Sequence, residues 1–134
     1  MIVVDTNILA YRWLPGPRAA DAEALLRRDP EWAAPLLWRS EFRNVLAGYM
    51  RTGKLTPDEA EQAVRHAARG LLGGEHAVSD HAVLSLVAKT GCTAYDCEFA
   101  ALAQALGVTL VTEDKALRTA LPKLCRSLTK AVRA

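Results

Sequence analysis

Short apolar runs separated by long helical stretches constrain the fold of this chain more than any other feature of its sequence. Ile2, Val3 and Val4 form one such run, residues 108–111 form a second, and weaker strand signals occur at residues 31–34, 77–78 and 124–128. Runs this short and this apolar are typical of strands that are buried on both faces. Strands that alternate with helices predict an α/β fold, with a parallel sheet of four to five strands covered on both sides.

Capping and breaking residues predict where the helices begin and end. Thr56 followed by Pro57 and two acids is a strong helix start, and Pro35 is well placed to open a long helix that stops at Gly53. Gly107 should close a later helix. The helices are expected at about residues 8–11, 18–28, 35–52, 57–70, 81–89 and 94–106, with a short one ending near residue 121. The last few residues are predicted to form a solvated tail.

Length and composition predict one folded domain, residues 1–134, with 51% hydrophobic residues available for its core. No apolar run approaches the roughly 18 residues needed to cross a bilayer, and the N-terminus lacks a secretory signal pattern. We therefore expect a cytoplasmic protein with no membrane partner. The three cysteines and three histidines have neither metal-ligand spacing nor a catalytic-triad pattern, so they are interpreted as packing or surface residues.

Four acidic residues are predicted to meet at one edge of the sheet. Asp5 directly follows the first strand and Asp114 follows residues 108–111, so both belong at the carboxyl edge, where sites form in parallel sheets. Glu41 and Asp96 lie in helices that begin at the same edge. Both lie on or near apolar helical stripes, where an unpaired charge is costly. Glu98, about 200° around the helix from Asp96, is predicted to face solvent.

Clustered carboxylates raise one another's pKa unless a cation neutralises them. Mg²⁺ prefers such hard oxygen ligands and usually retains waters, so a hydrolytic metal site is the favoured interpretation. One of these waters can act as the nucleophile, with either one ion or two in the site. No single acid stands out as the general base. A capping or surface role would explain each acid alone, and only their joint placement indicates a site.

The residues around these acids resemble the successive motifs of PIN domains, and in particular the VapC-type toxins of prokaryotic toxin–antitoxin pairs. The matching segments are residues 4–9, 40–46, 95–103 and 110–114, within a resemblance that extends over residues 2–121. It implies a three-layer α/β/α PIN-like fold and an endoribonuclease that uses Mg²⁺, with Mn²⁺ able to substitute. It also implies an RNA substrate, a homodimer and a small antitoxin partner.

The same resemblance implies roles for individual residues. The catalytic, metal-binding acids would be Asp5, Glu41, Asp96 and Asp114. Asn7 and Thr112 would be supporting polar residues, although helix capping alone also explains Asn7. Phe99 stands where the family often has tyrosine, so no hydroxyl role is expected at that position.

The C-terminal segment is basic. Residues 115–134 contain six Lys or Arg and no acid, although the net charge of the chain is only +2. Such a run can bind phosphates, and a merely solvated segment is the alternative. Lys115 and Arg118 follow Asp114 closely enough to lie on the rim of the acidic site, where they are predicted to contact RNA. Lys130 and Arg133 are expected to matter less.

Two other functions share some of these features. A catalytically silent PIN fold that only binds RNA or a protein would not need four acids at its centre. Phosphoryl-transfer domains of the receiver or haloacid-dehalogenase type also place acids at strand ends. The latter needs a second aspartate two residues after the first, where this chain has Asn7, and the former usually begins with adjacent acids after its first strand.

Overall fold

The computed structural model describes residues 1–134 as a five-stranded sheet with helices on both faces. The strands are β1 (Ile2–Val4), β2 (Trp32–Pro35), β3 (Glu75–His76), β4 (Leu110–Val111) and β5 (Cys125–Arg126). The helices are α1 (Thr6–Trp13), α2 (Ala19–Arg28), α3 (Trp38–Arg51), α4 (Pro57–Gly70), α5 (Asp80–Thr90), α6 (Ala94–Leu106), α7 (Lys115–Ala120) and α8 (Leu128–Arg133). The predicted α/β fold with a short parallel sheet is confirmed.

The sheet order is β3-β2-β1-β4-β5, and every neighbouring pair of strands is parallel. The chain therefore adds β2 and β3 on one side of β1, and then β4 and β5 on the other. In open parallel sheets, the crevice beside such a reversal is where ligand sites form, outside the carboxyl ends of the strands. Val4 is paired with Val111, so the residues that follow β1 and β4 emerge side by side at that crevice.

The strands are apolar on both faces because helices cover both. Val3, Val4 and Leu110 are completely buried. Helix α6 packs on β1, β2 and β4, and α5 packs on α6. A second group of helices is built around α1, which contacts α2, α3 and α4, while α8 packs on α2. No helix is long and apolar enough to span a membrane.

Two helices have the bounds that their capping residues predict. In the capping box of α4, the Thr56 hydroxyl accepts from the Glu59 N–H (3.2 Å), and the Glu59 carboxylate accepts from the Thr56 N–H (2.9 Å). At the end of α6, Gly107 adopts the left-handed conformation (φ 68°) that favours glycine. Helix α1 begins at Thr6, two residues earlier than predicted, because Asp5 caps it.

Pro35 ends β2 instead of opening α3, so the predicted start of that helix is wrong. The backbone N–H groups of the flanking residues Ala34 and Leu36 donate hydrogen bonds to the carbonyl oxygens of Gly74 and His76, on the β3 side of β2. The alternation of a strand turns the Pro35 nitrogen towards β1, which ends at Val4. Proline is tolerated there because it is the last residue of β2, so its missing N–H affects only the end of the ladder with β1.

Strand β3 consists of Glu75 and His76, and not of residues 77–78 as predicted. A polar strand is tolerated here because β3 is at the edge of the sheet and both side chains are only half-buried. Gly74, immediately before it, is buried, and a Cβ at this position would collide with the carbonyl oxygen of Trp32. The glycine thus permits the close approach of β3 to β2.

Residues 128–133 form helix α8 and not the predicted solvated tail. Ser127 caps this helix by accepting from the Lys130 N–H (3.3 Å). Leu128 and Ala131 are buried against the rest of the protein. The helix was not predicted because six residues, of which two are buried, are too few to show a helical period.

Candidate active site

A cleft of about 430 Å³ lies at the carboxyl edge of the sheet, beside the reversal of strand order. The structure brings all four predicted acids to this cleft, which we call the acidic cleft: Asp5, Glu41, Asp96 and Asp114. They come from four separate parts of the chain, namely the ends of β1 and β4 and the helices α3 and α6. No Lys, Arg or His lines the cleft, so its charge is strongly negative.

Asp5 is the most deeply buried of these acids, with only 7% of its surface exposed. It is the N-cap of α1, and its Oδ1 accepts from the Thr6 N–H (2.7 Å). Its Oδ2 accepts from the Thr112 hydroxyl (2.6 Å). Burial raises the pKa of Asp5, the charge of Asp114 raises it further, and the two hydrogen bonds oppose this shift. Both carboxylate oxygens are therefore fixed in direction, at the expense of an unfavourable environment for the charge.

Glu41 is held by a second threonine hydroxyl. Thr6 Oγ1 donates to Glu41 Oε1 over 2.7 Å, which connects the first turn of α1 to α3. Burial raises the pKa of Glu41, and the charges of Asp5, Asp96 and Glu98 add to the effect. Thr6 is itself 4% exposed, so this hydrogen bond lies inside the protein and not on its surface.

Asp96 and Asp114 stand at the starts of two helices. Asp96 lies in the first turn of α6, where its N–H donates to the capping hydroxyl of Thr93 (3.1 Å). Asp114 caps α7, accepting from the Leu117 N–H through Oδ1 (2.9 Å). Burial raises the pKa of Asp96, and the nearby charge of Asp114 raises it further. Helix N-termini are favourable positions for carboxylates.

Thr112 connects the two acids at the centre of the sheet edge. Its side chain has no exposed surface. Its hydroxyl donates to Asp5 Oδ2 and accepts from the Asp114 N–H (3.0 Å). The hydroxyl therefore fixes the distance and orientation of the β1 and β4 ends relative to each other.

The donor set of the acidic cleft fits a hard divalent cation. Every charged group that lines it is a carboxylate, and three of the four have a pKa raised mainly by burial and further by their neighbours' charges. A bound cation would relieve both effects. No three Asp, Glu, His or Cys side chains already form a complete ligand set. An ion would therefore also need water ligands, which Mg²⁺ commonly retains.

The other predicted residues lie at different distances from the site. Asn7 is exposed in the first turn of α1 and lines the cleft, while the cap of that helix is Asp5. Lys115 is exposed at the start of α7, and Arg118 is half-buried with one nitrogen donating to the Glu113 carbonyl (3.4 Å). Neither basic residue lines the cleft, and their contact with RNA stays a prediction.

Glu98 does not face open solvent, so that prediction is wrong. It is half-buried, burial raises its pKa, and its charge contributes to the raised pKa of Glu41. The helical phase correctly separated Glu98 from Asp96. It could not reveal that the opposite side of α6 comes close to Glu41, because that depends on how two helices pack.

Several residues of the cleft were not singled out from the sequence. Thr6, Ser40 and Asn44 contribute polar groups to its wall, and Tyr95 contributes an aromatic ring. All of them lie within one helical turn of a predicted acid. The signal that could have identified these residues is their position in the same motifs as the acids. That position does not distinguish a residue that lines the cleft from one whose side chain points away from it.

Fold and cleft together define an α/β protein with a multi-carboxylate site at the switch point of a parallel sheet. The chain belongs to the PIN domain family, which it matches over residues 2–120. The resemblance to PIN domains drawn from the four sequence motifs is thereby confirmed.

Individual relatives agree with this assignment. Ribonuclease VapC3 of Pyrobaculum aerophilum is 29% identical over 126 residues, covering 92% of this chain and 96% of the relative. The crystal structure of PAE2754 from Pyrobaculum aerophilum superposes with a TM-score of 0.77 at 20% identity, covering 98% of this chain and 86% of that chain. FitAcB from Neisseria gonorrhoeae gives 0.74 at 17% identity, with 96% and 99% covered. A toxin–antitoxin complex from Klebsiella pneumoniae gives 0.64 at 23% identity, with 87% and 90% covered. At these identities the solved structures show a shared fold.

Proposed function

We propose that this chain is a metal-dependent endoribonuclease that hydrolyses RNA phosphodiester bonds in the acidic cleft. The observation that carries the proposal is the convergence of four carboxylates in a cleft that no cationic side chain lines. This negative charge would weaken the binding of RNA to a surface that served only to bind it, because RNA binding depends on neutralising phosphates. Family membership and the name of the relative Ribonuclease VapC3 support the same class of reaction.

The proposed ligands of the cation are Asp5, Glu41, Asp96 and Asp114. When bound, Mg²⁺ would neutralise charge on the phosphoryl and leaving oxygens and lower the pKa of water, and Mn²⁺ is expected to substitute for it. The protein's own contribution is orientation. The hydroxyls of Thr112 and Thr6 hold two of the carboxylates in fixed directions. Asn7 offers a side-chain amide to the substrate from the cleft wall.

Cleavage of labelled single-stranded RNA by the purified chain tests this proposal. We expect cleavage with Mg²⁺ or Mn²⁺ and none in EDTA. Asp5→Asn and Asp96→Asn keep the side-chain shape, and each should lower the rate by at least about tenfold to a hundredfold, the scale of lost electrostatic stabilisation. The matched control is Asp80→Asn, since Asp80 is an exposed acid in the first turn of α5 that does not line the cleft.

Three outcomes would count against the proposal. Undiminished cleavage in EDTA by highly purified protein would contradict the role of the metal. Equal loss of activity in Asp80→Asn and Asp96→Asn would show that the cleft is not the site. RNA binding without cleavage under every metal condition would leave a catalytically silent binding module as the function.

We further propose that the chain acts as the toxin of a type II toxin–antitoxin pair, as a homodimer that a small antitoxin inhibits. The shared fold with a protein of the Klebsiella pneumoniae toxin–antitoxin complex supports this role. Expression of the chain should arrest growth, and co-expression of the product of a short neighbouring gene should relieve the arrest. Sedimentation should show a dimer. Growth without arrest would contradict the toxin role, and a monomer would contradict the dimer.

A further inference from the structure

One aromatic ring stands out in its exposure. Of the three Trp, three Tyr and two Phe in the chain, only Tyr95 is exposed, with 63% of its surface accessible. It takes part in none of the aromatic or cation–π pairs that involve Tyr11, Trp13, Trp38 and Tyr49. The Tyr95 ring therefore has a free face, whereas the remaining aromatic residues are buried or half-buried.

A single exposed apolar side chain is ordinary in a folded protein, so its location decides the interpretation. Tyr95 immediately precedes Asp96, and both side chains line the acidic cleft. Leu37 and Val45 of α3 line the same cleft and are half-buried. The cleft thus has an apolar component beside its carboxylates, and the free ring belongs to it.

The charge of the cleft limits how it can hold a nucleic acid. Four carboxylates repel phosphates, and no Lys or Arg lines the cleft to attract them. An uncharged contact to a base avoids this repulsion, because base–aromatic stacking does not depend on the phosphate charge. Stacking also needs an open base face, which neighbouring pairs cover in a duplex and single strands expose.

We propose that Tyr95 is a stacking platform for an unpaired base next to the bond that is cleaved. This inference rests on the proposed function, since it places the base beside the same carboxylates. Every base has a π-face, so the contact tolerates different sequences. Purines offer the larger face and should be favoured at the stacked position.

Binding of short RNAs that carry 2-aminopurine at successive positions tests the inference, because stacking on an aromatic ring quenches its fluorescence. The titrations are done in EDTA at low salt and again with Ca²⁺, so that binding is measured apart from cleavage. Tyr95→Ala should weaken the Kd by about 5- to 150-fold, the scale of one lost stacked base. It should also abolish quenching at one position. Tyr95→Phe keeps the ring and should behave like the wild type.

Two controls separate stacking from general apolar contact and from altered folding. Tyr95→Leu keeps an apolar side chain without a π-face and should resemble Tyr95→Ala. Leu72→Ala removes another exposed apolar side chain, 89% accessible and outside the cleft, and should have no effect. Circular dichroism should be the same for all variants, since the replaced groups are exposed.

The outcomes distinguish this inference from the proposed function. If Tyr95→Ala or Tyr95→Leu bound and quenched like the wild type, the stacking platform would be overturned even though cleavage by the wild type continued. Absence of any quenching by the wild type would also overturn it. Equal dependence on Tyr95 for duplex RNA would overturn the requirement for an unpaired base. Quenching that depends on Tyr95 without cleavage under any condition would support the platform and overturn the ribonuclease.

Discussion

Replacing Thr112 with valine would remove one hydroxyl from the interior of the acidic cleft and preserve the shape of the side chain. Two hydrogen bonds would be lost, one donated to Asp5 Oδ2 (2.6 Å) and one accepted from the Asp114 N–H (3.0 Å). Because Thr112 is completely buried, no water could replace its hydroxyl without moving the strand ends apart. We therefore expect Thr112→Val to weaken both folding and catalysis.

The size of the effect follows from these contacts. A hydrogen bond to a charged group contributes about 1.5–3 kcal/mol, and the bond to the half-buried Asp114 N–H contributes less. The methyl group that replaces the hydroxyl offsets about 0.8 kcal/mol through its burial. The free energy of unfolding should therefore fall by about 1–3 kcal/mol. For a chain of this length that corresponds to a Tm lower by about 4–10 °C.

The pH dependence of this loss identifies its cause. The hydroxyl favours the ionised form of Asp5, so its removal raises the pKa of a carboxyl that burial has already raised above its ordinary value of 3.8. The stabilisation that the Thr112 hydroxyl provides in the wild type is present while Asp5 is ionised. It disappears as the pH falls through the folded-state pKa of Asp5. Denaturant unfolding in EDTA should thus show the full deficit of Thr112→Val at neutral pH and a smaller one in acid. The acid limb of the pH–rate profile should move to higher pH.

Thr112→Ser is the matched control because it keeps the hydroxyl and removes a buried methyl. It should lose about 1 kcal/mol of stability at every pH and leave the pH–rate profile in place. Two results would refute the reasoning: a Thr112→Val deficit that stays constant from neutral pH down to the acid unfolding limit, or an equal shift of the profile in Thr112→Ser.

Three further predictions concern the acids and the rim. Glu98→Gln removes a charge that raises the pKa of Glu41, so the acid limb of the pH–rate profile should move to lower pH with little change in the plateau rate. Mg²⁺ should raise the Tm of the wild type, and a differential scanning titration should show a smaller rise as the pH is lowered, because protons compete for the carboxylates whose pKa is raised. Lys115→Ala should flatten the salt dependence of RNA binding by roughly 0.7 in log–log slope, whereas Arg118→Ala should mainly lower the Tm because Arg118 is half-buried against Glu113.

Local sequence predicted the acids well because their positions depend on short-range structure. Asp5 and Asp114 follow apolar strands directly, and a parallel sheet brings the ends of its strands to one edge. Asp96 is fixed by the first turn of a helix whose cap, Thr93, and terminating Gly107 are both apparent in the sequence. Each of these statements needs only a few neighbouring residues.

Features that depend on packing between distant elements were missed. Glu98 approaches Glu41 only because of the way α6 and α3 are placed, and no period within α6 contains that information. The half-buried position of Arg118, with one nitrogen donating to the Glu113 carbonyl, was likewise not apparent from the sequence. The polar strand β3 was assigned two residues too late because its Glu75 is satisfied by partners more than 30 residues away.

Those partners of Glu75 also bear on the site itself. The Glu75 carboxylate accepts from Trp38 Nε1 (2.7 Å) and from Arg39 Nε and Nη2 (2.7 and 3.0 Å), which fastens the first turn of α3 to the edge of the sheet. The Arg39 guanidinium holds the pKa of Glu75 below its ordinary value, so this contact stabilises the fold above that value and is lost as the pH falls through the lowered pKa.

Glu41, two residues after Arg39, has its pKa shifted in the opposite direction to that of Glu75. Its raised pKa means that the metal-free fold is most stable when Glu41 is protonated, and that this stability is lost as the pH rises through the raised value. At neutral pH the first turn of α3 therefore has two opposed effects on stability. The hydrogen bonds from Arg39 to the Glu75 carboxylate stabilise the fold, whereas burial disfavours the charge of Glu41 beside them. The Glu75 contact resists displacement of α3 by the repulsion within the cleft. A divalent cation would remove that repulsion without affecting Glu75, so the gain in stability on metal binding should come from the cleft acids alone.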